Sequence, residues 1–293
     1  MYIITDDKRK YEMKELFKSI DSAVNAMSEC CCDGKNIESP LAESEVYNET
    51  WMLRMILALI HDYSGDFVVA NDDVMCTKKN ALEQIRLTVR RKWISEGGLE
   101  PAFTNEGTTW TDAILGDIKL RDNSSRGVDV DPHVNNPVGI VVVEAKMGSN
   151  ISPDISNSDD YNQVARNIAC LAKLTMDDKS LYEHSRMVVL VPEGWWNWHQ
   201  RSKPISLYPN SRTLLNGCLK VIKHQDDPQN PKKRNKNGVK RENIIEFEKA
   251  IENIISGSSF ITWDEIIKSI DSPDAKVVED FYMRAKKCLR LPK

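Results

Sequence analysis

The sequence predicts an α/β fold, and its alternating hydrophobic periodicities carry that prediction. Leu53, Ile56 and Ile60 recur at helical spacing within residues 41–62. Residues 139–146 begin as an apolar strand-like run, Gly139-Ile140-Val141-Val142-Val143, and turn charged only at Glu144-Ala145-Lys146. Helical spacing returns over 161–175 through Val164, Ile168 and Leu171, and residues 186–192 form a further buried-strand run. With the weaker strands between them, the order is helix, strand, strand, strand, helix, strand.

Length and composition frame this reading. A chain of 293 residues can hold one sizeable core with an appendage. The formal net charge of −4 means that any contact with nucleic acid must come from local patches. Met1-Tyr2-Ile3-Ile4-Thr5-Asp6-Asp7-Lys8 lacks the apolar core of a secretory leader. The apolar stretch from 51 to 60 is too short to span a bilayer and is broken by Arg54, so no membrane partner is expected. Seven cysteines, an odd number, suit a reducing cytoplasm better than a disulfide framework. Cys30-Cys31-Cys32 lacks Cys-x-x-Cys spacing and reads as surface thiols, not a zinc site.

Taken in order, residues 1–40 are a polar N-terminal extension with a helix over about 10–27. The helix over 41–62 carries Glu49 in register with its apolar stripe and Glu45 one turn earlier. Either is a candidate ligand or simply an acidic first turn favoured by the helix dipole. Residues 79–95 read as a helix with Arg86, Arg90, Arg91 and Lys92 on one flank, ended by Gly97 and Gly98. Residues 99–104 are a strand weakened by Pro101, and 110–120 are the next strand. The polar stretch 122–137 is a long hairpin connection.

The chemistry concentrates in Thr111-Asp112-Ala113-Ile114-Leu115 and in Glu144-Ala145-Lys146. The two-residue period of a strand puts Glu144 and Lys146 on one face and Ala145 on the other. Charges at the end of a core strand are unfavourable unless they are paired or bind something. The bland alternative is a salt bridge closing the strand end. Asp117 competes with Asp112; five residues apart on one regular strand, they face opposite ways, and only one can serve. Asp112 is the better placed, Asp117 being the hydrophilic end of the strand. Asp129 and Asp131 read as loop carboxylates.

Asp112, Glu144 and Lys146, with this element order, resemble the PD-(D/E)XK nuclease superfamily over roughly residues 41–192. Tyr161, Gln163 and Arg166 resemble the Gln- and Arg-bearing helix that follows the motif in many members. The first motif here reads Thr-Asp where many members have Pro-Asp. The resemblance implies a restriction-endonuclease-like core, a central mixed β-sheet flanked by helices, with helical C-terminal decoration. It implies Asp112, Glu144 and Glu49 as ligands of Mg2+, for which Mn2+ can substitute, with the Ala145 carbonyl as a further donor. Lys146 would offset charge on the phosphorane, Gln163 would orient the attacking water or Lys146, and Arg166 would contact a phosphate.

The expected function is thus a metal-dependent endo- or exodeoxyribonuclease in restriction, phage defence or repair. The alternative is a catalytically silent nucleic-acid-binding or regulatory protein of the same fold. Residues 41–225 would be the core, 226–241 a basic loop, and 242–293 helical elements packed on the core. Lys232, Lys233 and Arg234 make that loop either solvated or a phosphate-contacting arm. Trp195, Trp196, Trp198 and His199 either stack on bases or cover the sheet edge. Residues 242–255 and 274–289 read as amphipathic helices, Phe260-Ile261 as a short strand, and Thr262-Trp263-Asp264-Glu265 as a capping box. No Gly-x-x-x-x-Gly-Lys-Ser/Thr motif is present, so energy-dependent action would need a protein partner from a larger defence or repair system. A homodimer is compatible with the family, and the expected location is cytoplasmic.

Overall fold

The computed structural model describes residues 49–68, 73–103, 106–122, 127–147, 163–194, 216 and 238–288. It is a mixed α/β fold around a five-stranded sheet. In chain order the elements are α1 (Glu49–Asp62), α2 (Asp73–Val89), β1 (Trp93–Ser95), β2 (Gly98–Leu99), β3 (Thr109–Trp110) and β4 (Ala113–Gly116). They continue with β5 (Ile118–Leu120), β6 (Val128–Val130), β7 (Ile140–Ala145), α3 (Gln163–Thr175), α4 (Lys179–Tyr182) and β8 (Arg186–Val191). The last are α5 (Ile244–Gly257), β9 (Ser259–Thr262), α6 (Trp263–Ser269) and α7 (Pro273–Cys288).

The sheet runs β1-β4-β7-β8-β9. β1, β4 and β7 pair antiparallel, and β7, β8 and β9 pair parallel. Alternation along β7 divides the core: Val141, Val143 and Ala145 join one cluster, with α1, α2, α6 and α7. Ile140 and Val142 join the other, with α3 and α5. A sheet covered on both faces explains why β7 and β8 read as continuous apolar runs. Among the described residues, no helix is long and apolar enough to cross a membrane.

Several boundaries differ from the sequence reading. The helix expected over 79–95 ends at Val89, and Trp93–Ser95 instead forms β1 against β4. Pairing of Trp93 and Ile94, both fully buried, outweighs their place in the helical pattern. Of residues 99–103, only Leu99 joins the two-stranded ribbon with β3. Residues 110–120 are three strands, not one: Gly116 takes φ +116°, where a Cβ would collide with the Gly139 carbonyl oxygen. Asp112 and Asp117 therefore do not share a regular strand. The connection 122–137 contains β6, which pairs with β5. β9 extends the central sheet, so the C-terminal segment contributes a strand as well as helices. Residues 1–48, including Glu45 and the three adjacent cysteines, lie outside the described residues.

The capping box at α6 is complete. The Thr262 hydroxyl accepts the Glu265 N–H at 3.1 Å, and the Glu265 carboxylate accepts the Thr262 N–H at 2.7 Å. Thr262→Ala should cost about 1 kcal/mol of stability. Urea unfolding checks this, and an unchanged midpoint would mean that the box does not hold the helix.

Candidate active site

Register assembles the site before any side chain is considered. Ala113, the first residue of β4, pairs with Val143, which brings Asp112, just before that strand, beside the end of β7. On the other side, Ser95 pairs with Ala113, and the Glu96 N–H donates to the Asp112 carbonyl at 2.9 Å. Glu96 and Asp112 thus lie just past the ends of β1 and β4, while Glu144 is within β7. Glu96 has φ +57°, a left-handed conformation uncommon for a residue with a side chain. Sequence reasoning missed it because that position had been assigned to the end of a helix.

Lys146 follows the last residue of β7, its N–H bonded to the Leu190 carbonyl at 2.8 Å. Its own carbonyl accepts the Trp263 Nε1–H at 3.0 Å, which ties this residue to the start of α6. The side chain meets Glu144 on the same face, Nζ to Oε1 at 2.5 Å. Glu144 is 0% exposed and Lys146 6%. The second Glu144 oxygen accepts the Asn167 Nδ2–H at 3.1 Å, and the Asp112 carboxylate accepts the Ala145 N–H at 2.7 Å. The only local signal for Asn167 in the sequence is an amide next to the apolar stripe of Val164, Ile168 and Leu171.

Electrostatics follow from burial and proximity. Burial raises Asp112 from 3.8 to about 6, against the pull of Lys146 and the Ala145 N–H, with Glu49 and Glu96 adding to the rise. Burial and then the charge of Asp112 raise Glu144 from 4.5 to about 7, with Lys146 opposing. For Lys146, burial disfavours the ammonium, but Glu144, Asp112 and Glu49 together hold it above its ordinary range. A buried carboxylate whose proton affinity a second carboxylate raises marks a place where a cation is favourable.

The remaining expected residues divide. The Glu49 carboxylate opens α1 and accepts the Met147 N–H at 3.2 Å, just past the motif. Gln163 is half-buried at the first residue of α3, one turn before Asn167. Arg166 donates to the Gly107 carbonyl at 2.7 Å and lies 3.8 Å from the buried Glu106 carboxylate. Asp117 accepts the Val138 and Gly139 N–H groups at 2.6 and 3.0 Å, which anchors a turn. Asp131 pairs with Lys92 at 2.6 Å and Asp129 with Arg121 at 2.9 Å. Lys232, Lys233, Arg234, Tyr161 and the residues from Trp195 to His199 lie outside the described residues.

Among the described residues, no three His, Cys, Asp or Glu side chains form a ready metal-holding group. Asp112 and Glu144 nonetheless present hard oxygen donors of the kind Mg2+ takes while keeping several waters. On donor chemistry and charge, this pair fits such a cation; Glu49 sits close enough to influence both carboxylates. No family model, curated protein or solved structure matches the chain.

Proposed function

We propose that this protein is a Mg2+-dependent nuclease of the PD-(D/E)XK, restriction-endonuclease-like superfamily, acting on DNA in restriction, phage defence or repair. The observation that supports this most is the approach of Asp112, just before β4, to the end of β7, where its carboxylate accepts the Ala145 N–H and Lys146 is bonded to Glu144. The sheet order, antiparallel from β1 to β7 and parallel beyond it, accords with the mixed sheet of that family.

In this reading Asp112 and Glu144 hold the ion, and Mn2+ can take its place. The bound ion would polarise a phosphate oxygen and lower the pKa of a water for in-line attack at phosphorus. Lys146 keeps its proton at neutral pH and donates to the phosphorane oxygens as negative charge grows on them. Its burial strengthens that interaction, since little water is present to screen it. The Lys146 carbonyl bond to Trp263 fixes the backbone from which the amine projects. Gln163 would orient the attacking water or Lys146, and the basic residues Lys232, Lys233 and Arg234 would contact substrate. Arg166 would do so only by leaving Glu106 and Gly107.

One observation favours a second reading, a catalytically silent nucleic-acid-binding or regulatory protein. Both Glu144 oxygens already have partners, as in a salt bridge that merely closes a strand end. The deciding experiment incubates linear, circular and single-stranded DNA, and RNA, with the protein in Mg2+ or Mn2+ and in EDTA. Cleavage that EDTA abolishes is the expected result, and the preferred substrate distinguishes end-dependent from internal attack. Metal binding without cleavage would support the silent protein, and the absence of both would sink the metal-site reading.

A further inference from the structure

Asn167 is 0% exposed on α3, among inward positions that are otherwise apolar: Val164, Ile168 and Leu171. A buried amide is unfavourable unless its hydrogen-bonding groups are used, and a leucine would fill the space at no such cost. Chemistry fixes how the amide is turned. A carboxylate can only accept from a group that donates, so the NH2 faces Glu144 Oε2, at 3.1 Å, and Oδ1 must face away. With Lys146 on Oε1 and Asn167 on Oε2, the Glu144 carboxylate is tied at both oxygens. Asn167 Oδ1, also buried, takes no hydrogen bond from the protein.

We infer that Asn167 is a positioning residue of this site, its Nδ2 setting the orientation of Glu144. The inference rests on the metal-dependent nuclease reading and adds to it a residue that no motif assigns. No covalent change occurs at Asn167.

The test measures Mn2+ binding by calorimetry without nucleic acid, then kcat and KM for DNA cleavage, in wild type, Asn167→Leu and Asn167→Ala. Loss of a group that orients a metal-holding side chain costs about tenfold to a hundredfold in metal affinity or activity. Asn167→Leu should weaken Mn2+ binding by about that factor and lower kcat, with KM for DNA changed less than about threefold. Asn167→Ala gives the same reading if the leucine variant folds poorly. A purely structural amide would shift the melting temperature and leave the Mn2+ dissociation constant in place. Variants that fold, bind Mn2+ and cleave within about twofold of wild type would overturn this inference alone. Wild type that neither binds Mn2+ nor cuts would overturn the nuclease reading beneath it.

Discussion

Lys146→Ala should lower cleavage by about a hundredfold or more while leaving a protein that still folds near neutral pH. The first half follows from where the amine sits, buried and bonded to a carboxylate that lies near the second acidic residue. The second half needs the proton balance. Removing one member of a buried ion pair ordinarily costs about 3–5 kcal/mol, because the other charge is left uncompensated. Glu144 has an escape: with the lysine present it already titrates at about 7, and without it the carboxyl holds its proton more tightly still.

The variant can therefore keep Glu144 neutral, and its deficit should grow with pH. A carboxyl whose folded pKa exceeds its unfolded value withdraws stability as pH rises from the lower value through the higher. In wild type that window runs from 4.5 to about 7; in Lys146→Ala it extends upward. Melting temperatures should differ least near about pH 6 and most near about pH 9. Cleavage equal to that of wild type would show that the amine takes no part in the chemistry. A deficit independent of pH would show that Glu144 stays ionised without its partner.

Much of this site was legible because two of its three groups lie within one strand end. The period-2 rule alone put Glu144 and Lys146 on one face, and the contact between them follows. The apolar residues of β7 and β8 fixed the two central strands for the same reason, since a doubly covered strand needs a continuous apolar run. Register was not legible. That Asp112 stands beside the end of β7 depends on the break at Gly116 and on a connection of more than twenty residues, whose internal strand β6 the sequence did not reveal. Glu96 escaped notice because Trp93 and Ile94 fit a helical pattern as well as a strand, and only their pairing with β4 decides between them. Asn167 adjoins the apolar stripe of its helix, but nothing local could say that a carboxylate lay across from it. Short-range period is written in the sequence; long-range pairing is settled by which apolar faces meet.

Asp112→Asn is expected to stabilise the metal-free protein and to remove its response to Mg2+. Asparagine resembles the protonated aspartic acid: it keeps an oxygen for the Ala145 N–H and brings no charge next to Glu144. Asp112 is raised from 3.8 to about 6, chiefly by burial, so the folded protein holds a proton there that the unfolded chain releases. The ionised native form is thus disfavoured above 3.8, increasingly up to about 6, and the difference is constant beyond. Wild type and variant should coincide in stability below about pH 4, and the variant should lead by about 1–3 kcal/mol near pH 8. Saturating Mg2+ should reverse that order. A ligand at about a thousand times its dissociation constant stabilises the form that binds it by about 4.1 kcal/mol, more than that lead, and the variant lacks one of the two carboxylates. Cleavage should fall by about a hundredfold or more with the same substitution. Equal Mg2+ shifts in both proteins would remove Asp112 from the metal site. A variant less stable than wild type near pH 8 would mean that the carboxylate serves the fold. The two measurements have opposite signs for a ligand and for a structural anion: a ligand weakens the empty protein and strengthens the loaded one, whereas a structural anion stabilises both alike.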